Sequence, residues 1–130
     1  FSTCIIALVV NEYGEAALLR QGYISDTYYN LVSGYMKPGE NAETTAMREV
    51  EEEIGVPVER LRMTGTYWFG KMLMIGFIAE AKKRELVLSG EVDEAVWVPV
   101  SKALKMVHPA GSVSHTLVEY YLNEQKNRKD

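Results

Sequence analysis

The sequence predicts an α/β or α+β sandwich, with apolar strands forming the core and a few helices covering them. Two observations predict it. Apolar, β-rich runs recur along the chain, and three segments carry apolar residues at helical spacing. The 130 residues, 47% of them hydrophobic, suit one compact domain over 1–130.

The elements follow in order. TCIIALVV at 3–10 is a continuous apolar run, expected as a buried strand that takes Cys4 into the core. Asn11 to Gly14 is a turn, 15–20 a second strand, and 21–29 a polar and aromatic loop. A short strand over 30–33 leads into Gly34. After the breaker Pro38-Gly39, Asn41 is a candidate N-cap, with Glu43 in the first turn. Ala46, Met47, Val50 and Ile54 recur at helical spacing and predict the buried face of a helix over 42–54, ended by Gly55. Strands are expected at 61–69 and 72–81, joined near Gly70-Lys71, and shorter ones at 85–88 and 95–100. A short helix at 101–107 stops before Pro109. A last helix at 112–125 places Val113, Leu117, Tyr120 and Tyr121 on or near one face, and 123–130 is expected to fray.

The charge balance narrows the partners. The formal net charge is -4, and the one short basic run, Lys82-Lys83-Arg84, reads as a solvated turn. Binding of duplex nucleic acid through a broad basic surface is therefore not expected. One cysteine allows no intrachain disulfide and no four-cysteine zinc site, which fits a reducing, cytoplasmic setting. No apolar run reaches the roughly 18–20 residues of a membrane span, and no signal peptide is visible. A first residue other than Met fits a trimmed chain or part of a longer one. His108 and His115 fall in no metal-ligand spacing, and a surface or structural role is expected of each.

The stretch 34–56, GYMKPGENAETTAMREVEEEIGV, concentrates glutamates in an otherwise apolar chain. Glu49, Glu52 and Glu53 stand at i, i+3 and i+4, so they share one helix face and repel one another. Arg48 can pair with Glu52, but one arginine cannot neutralise three acids. The face is either simply solvated or completed by a hard divalent cation such as Mg²⁺ or Mn²⁺, which takes carboxylates together with substrate phosphates.

The spacing of the whole stretch decides more. Gly34, five residues, Glu40, seven residues, Arg48-Glu49-Val50, one residue, Glu52-Glu53, one residue, Gly55-Val56 matches every fixed position of the Nudix box. The sequence strongly resembles the Nudix hydrolase superfamily. The resemblance implies an α/β/α sandwich with a mixed sheet, in which 34–56 forms loop–helix–loop. It implies Glu49, Glu52 and Glu53 as metal ligands, joined by the Gly34 carbonyl. Glu40 and Arg48 would brace the loop against the helix, and Gly39 and Gly55 would be turn glycines. The implied reaction is metal-dependent attack of water on the pyrophosphate of a nucleoside diphosphate linked to another group, with Mg²⁺ or Mn²⁺ as cofactor. Arg48, Glu52 and Glu53 are the catalytic candidates. Glu52, Glu53 or an acid outside the box is the base.

Beyond the box the chain is similar to the catalytic domain of NADH pyrophosphatases. Cys4-Ile5-Ile6 opens the first strand as in that branch, and GEVDEAVW at 90–97 matches its acidic pair before an Ala-x-Trp strand. Glu91 would then be a further metal ligand, with Glu94 three residues on. PAGSVS at 109–114 resembles the loop that opens the branch's last helix and lines the nucleotide pocket. Ser114 is its candidate contact and Ser112 a plain helix cap. Tyr35 stands where that branch stacks an aromatic on a base. Two features depart from the pattern. No zinc-binding cysteine cluster is present, and the branch's proline-rich element is replaced by GTYWFGKM at 65–72. Trp68 and Phe69 either touch substrate or pack, while Met72 and Met74 are expected in the core.

Dinucleotides such as NADH or NAD, ADP-ribose and modified nucleoside triphosphates are all candidate substrates. The alternatives are a nucleotide-pool triphosphate pyrophosphohydrolase and a nucleotide-sensing module without turnover. A homodimer is expected from the branch.

Overall fold

A computed structural model describes residues 1–129; Asp130, part of the tail expected to fray, lies outside them. The elements are β1 (Ser2–Val10), β2 (Glu15–Arg20), β3 (Val32–Tyr35), α1 (Ala42–Ile54), β4 (Arg60–Phe69), β5 (Met72–Glu80), β6 (Glu94–Pro99), α2 (Val100–Met106) and α3 (Val113–Lys129). The sheet runs β4-β5-β1-β2-β6, with β3 also pairing β1. Only β1 and β5 pair in parallel, so the sheet is mixed.

The apolar run of β1 is buried on both faces because helices cover both. Ile5, Ala7 and Val9 face Ala46, Val50 and Ile54 of α1. Cys4, Ile6 and Leu8 face the other way, with Ala103 of α2 and Leu117 and Val118 of α3. This is the expected α/β/α sandwich.

One irregularity shapes the molecule. β2 touches β1 in register only at Val10↔Ala16 and then diverges toward β6. β3 takes over the vacated edge, from Ala7↔Val32 to Cys4↔Tyr35. Asn30 bridges back to Leu19 of β2, so the expected strand at 30–33 moves to Val32–Tyr35. The sheet thus forks, and a large cavity opens at the fork, lined there by Ile6, Gln21, Asn30 and Leu31.

Three further expectations change. Met47 is exposed, and Thr45 is buried in α1 instead, its hydroxyl held by the Asn41 carbonyl and Glu40. Residues 85–88 form no strand. Their segment crosses the end of α1, where Val87 and Ser89 N–H groups donate to the Ile54 and Glu53 carbonyls (2.9 and 3.1 Å). Those carbonyls have no partner within the helix, so the segment's donors serve as a cap rather than a ladder. α3 continues to Lys129 rather than ending at 125, and buries Leu117 and Val118 while leaving Tyr120 exposed.

Candidate active site

The site is built on α1 and the loop before it. Asn41 caps the helix by accepting from Thr44 N–H at 2.8 Å, and Gly55 ends it in the left-handed conformation (φ 69°). Gly39 turns the preceding loop with φ 86°. These two ends set which way Arg48, Glu49, Glu52 and Glu53 project.

Arg48 organises the acids. Its Nε and Nη2 grip Glu40 in a bidentate pair at 2.8 and 2.9 Å. Its Nη1 donates to Glu49 at 2.8 Å and to Glu52 at 3.1 Å, and Nη2 reaches the Tyr35 carbonyl at 3.4 Å. Glu40 also accepts from the Lys37 N–H and the Thr45 hydroxyl. With Arg48 as the main cause, the Glu40 carboxyl is held down at about 2, and the Arg48 guanidinium is raised in turn. Among the described residues no three acid, histidine or cysteine donors converge with metal-ligand geometry. Arg48 draws Glu49 and Glu52 to itself.

Glu53 has no such partner. Burial, followed by the negative charges of Glu49 and Glu91, pushes it up to about 8, against a Ser33 backbone N–H that acts the other way. The three carboxylates therefore share a neighbourhood with more negative charge than protein cations balance. Gly34 closes that neighbourhood. A Cβ at this position would fall on the Glu49 carboxyl carbon, so only glycine lets the backbone lie against the acid.

These groups open onto a cavity of about 800 Å³. Gly34, Tyr35, Arg48, Glu49, Glu53 and Glu91 line its acidic side. Phe69 and Ser114 line it as well, and Ser112, whose hydroxyl accepts from His115 N–H at 3.1 Å, caps α3 beside it. Three candidates sit elsewhere. Trp68 projects from the opposite face of β4 to Phe69 and packs edge-on against Phe1 at 5.5 Å. Glu52 is exposed and turned to Arg48. Glu94 accepts from the Tyr29 hydroxyl (2.7 Å) and Arg20 Nε (3.1 Å), an ion pair that ties β6 to β2.

Other lining residues have no signal in the linear order. Cys4, Met72 and Met74 meet at the floor because β1 and β5 pair in parallel, Cys4 against Met74, with the Cys4 thiol 3.1 Å from the Met72 sulfur. The two methionines thus face the cavity as well as the core. His108 lines it too, its ring 5.3 Å from that of Tyr28. His115 instead pairs with Glu119 on the same helix.

Comparison with known proteins gives the same family as the box spacing. The family model of the NUDIX domain matches residues 2–117. The NAD-capped RNA hydrolase NudC of Pseudomonas syringae pv. syringae (strain B728a) is 34% identical over 122 residues, covering 91% of this chain and 43% of the relative. A NudC of Pseudomonas aeruginosa (strain LESB58) is 32% identical, over 88% of this chain and 42% of its own. The chain thus spans less than half the length of these curated relatives. Among solved structures, a MutT protein from Methanosarcina mazei Go1 is 28% identical with a TM-score of 0.75, covering 96% of this chain and 95% of that one. The NUDIX domain of Shewanella oneidensis NrtR, solved with ADP ribose, shares the fold at a TM-score of 0.77 and 15% identity, over 95% and 88% of the two chains. With the family model spanning nearly the whole chain and every fixed box position present, the chain belongs to the NUDIX domain family.

Proposed function

We propose that the chain hydrolyses the pyrophosphate bond of a nucleoside diphosphate linked to another moiety, with a dinucleotide such as NADH or NAD as substrate. The observation that carries this reading is the under-neutralised set Glu49, Glu53 and Glu91 at the wall of the large cavity. Clustered acids alone would repel a diphosphate, whereas an all-oxygen donor set with surplus negative charge fits Mg²⁺ or Mn²⁺. Glu49, Glu53, Glu91 and the Gly34 carbonyl would hold it, and Glu52 would join them by turning from Arg48. A divalent cation there supplies Lewis acidity toward the diphosphate oxygens.

This chain's own residues do the rest. Arg48 and Glu40 hold the loop and helix in one arrangement. Glu53, at the cavity wall beside Glu49, is the base that takes the proton of the attacking water. The water oxygen bonds to phosphorus as the bond to the leaving phosphate breaks, in line with it. Tyr35 and Phe69 offer ring faces to a base, and Ser114 a hydroxyl. The NAD-capped RNA hydrolase NudC relatives and the ADP ribose bound in the NrtR structure support a nucleotide diphosphate of this class.

A homodimer belongs to this reading. β4 is an edge strand with Met63 and Trp68 exposed, a surface suited to a second copy. No helix among the described residues is long and apolar enough to cross a membrane. A cytoplasmic location remains the expectation of the single free cysteine.

The test is product analysis on NADH, NAD, ADP-ribose, diadenosine polyphosphates and 8-oxo-dGTP, with Mg²⁺ or Mn²⁺ and with chelator. Metal-dependent release of two mononucleotides from NADH is expected. Cleavage of 8-oxo-dGTP alone would move the chain to triphosphates. Metal and nucleotide binding with no product from any substrate would make it a sensing module.

A further inference from the structure

The loop between β2 and β3 holds an apolar pair where folding does not need one. Tyr23 and Ile24 are 76% and 50% exposed in an otherwise polar stretch. The loop is nevertheless well tied. Ile24 and Ser25 N–H groups donate to the Gln21 carbonyl, and the Ser25 hydroxyl accepts from Thr27 and Tyr28 N–H. Gly22 N–H donates to Asp93 at 2.6 Å, and Tyr29 N–H to the Met106 carbonyl at 2.9 Å. Keeping a tyrosine and an isoleucine in water on such a frame forgoes their burial. Both line the large cavity, and so does His108, held beside Tyr28.

This wall is separate from the one already described. Tyr35 and Phe69 reach the cavity from the ends of β3 and β4. They do so beside the start of β1, where Cys4 pairs with Tyr35 and Ser2 with Met72. Tyr23 reaches it from the β2–β3 loop and His108 from the α2–α3 connection. At about 800 Å³, the volume lies in the upper part of the roughly 300–1,000 Å³ range of small-molecule sites.

We propose that Tyr23, flanked by Ile24 and His108, is a second ring-binding subsite, so that the cavity receives a diphosphate carrying a ring system at each end. This deepens the diphosphate reading above and rests on it for the chemical class of ligand. Stacking on a tyrosine face is sequence-tolerant and suits either a base or a nicotinamide.

The experiment is calorimetric binding of NAD and ADP-ribose, with Ca²⁺ present as a hard divalent cation, to the wild-type chain and to Tyr23→Ala, Tyr23→Phe and Tyr35→Ala. For NAD, Tyr23→Ala and Tyr35→Ala should each weaken binding about tenfold, while Tyr23→Phe keeps wild-type affinity. For ADP-ribose, with one ring system, only one of the two alanine variants should weaken it. The proposal is overturned if Tyr23→Ala leaves NAD affinity unchanged, or if both alanine variants act alike on both ligands. Failure of the wild-type chain to bind NAD overturns it as well. Turnover of NADH with Mg²⁺, measured separately, reads the hydrolysis. Its absence beside the expected binding pattern removes the hydrolytic reading and leaves the subsite standing.

Discussion

Two arginine–glutamate clusters in this molecule are built on opposite principles. At one edge of the sheet, Arg60 and Arg62 of β4 face Glu80 of β5 and Glu124 of α3, with Arg62 Nη1 donating to Glu124 at 2.7 Å. Two cations meet two acids. In the box, one cation, Arg48, faces Glu40, Glu49 and Glu52, while Glu53 and Glu91 stand beside them without a cation of their own. The first cluster matches its charges within the protein, and the Arg62–Glu124 pair staples α3 to the sheet. The second leaves Glu53 and Glu91 without a cation, and the Glu53 carboxyl is pushed up first by burial and then by the charges of Glu49 and Glu91. An arrangement that costs stability without serving the fold points to a ligand.

The contrast can be broken most sharply at Glu53. Glu53→Gln should lower kcat by roughly 10²–10⁴-fold on the preferred substrate while the circular-dichroism spectrum stays unchanged. Near-normal turnover in that variant would contradict its role. Gly34→Ala acts on the same wall from the backbone side. Its new Cβ must displace the Glu49 carboxyl, and a fall in kcat of roughly 10–100-fold is expected with little change in Tm.

Removing the arginine of each cluster compares them directly. Arg48→Ala should lower Tm by roughly 5–10 °C and abolish activity, because three acids lose their shared partner. Arg62→Ala should lower Tm by only roughly 2–4 °C and leave kcat intact. Equal losses in scanning calorimetry would erase the distinction.

The smallest effect is the acid limb of stability. Arg48 holds the Glu40 carboxyl near 2 against an ordinary 4.5. A depressed carboxyl contributes stability above its unfolded pKa and loses it as pH falls through its folded value. Wild-type Tm should therefore drop faster than that of Glu40→Gln between about pH 4.5 and 2, as a pH series of melts would read.

Much of this was legible in the linear order. The bounds of α1, its Asn41 cap and its Gly55 stop follow from local chemistry, since caps and breakers act within a turn of the residues they serve. Met47 was misplaced because helical spacing admits a broad apolar face, and packing against β1 selected Thr45 for its flank instead. Residues 85–88 have strand composition but lie across the exposed carbonyls of α1, and a long-range demand for donors overrode propensity. Trp68 and Phe69 are neighbours in sequence, yet alternation along β4 sends only Phe69 into the cavity.

The sequence by itself determined the box, its clustered acids, the glycine positions of the loop–helix–loop, and the family. Those features rest on spacing within one helix and its two turns, where distance along the chain and distance in space nearly coincide. Only the tertiary structure decided which residues share the cavity. The fork between β1 and β2, the parallel pairing that brings Cys4 to Met74, and the loop that presents Tyr23 all join segments far apart in sequence. Such contacts depend on strand order and register, which no local pattern encodes.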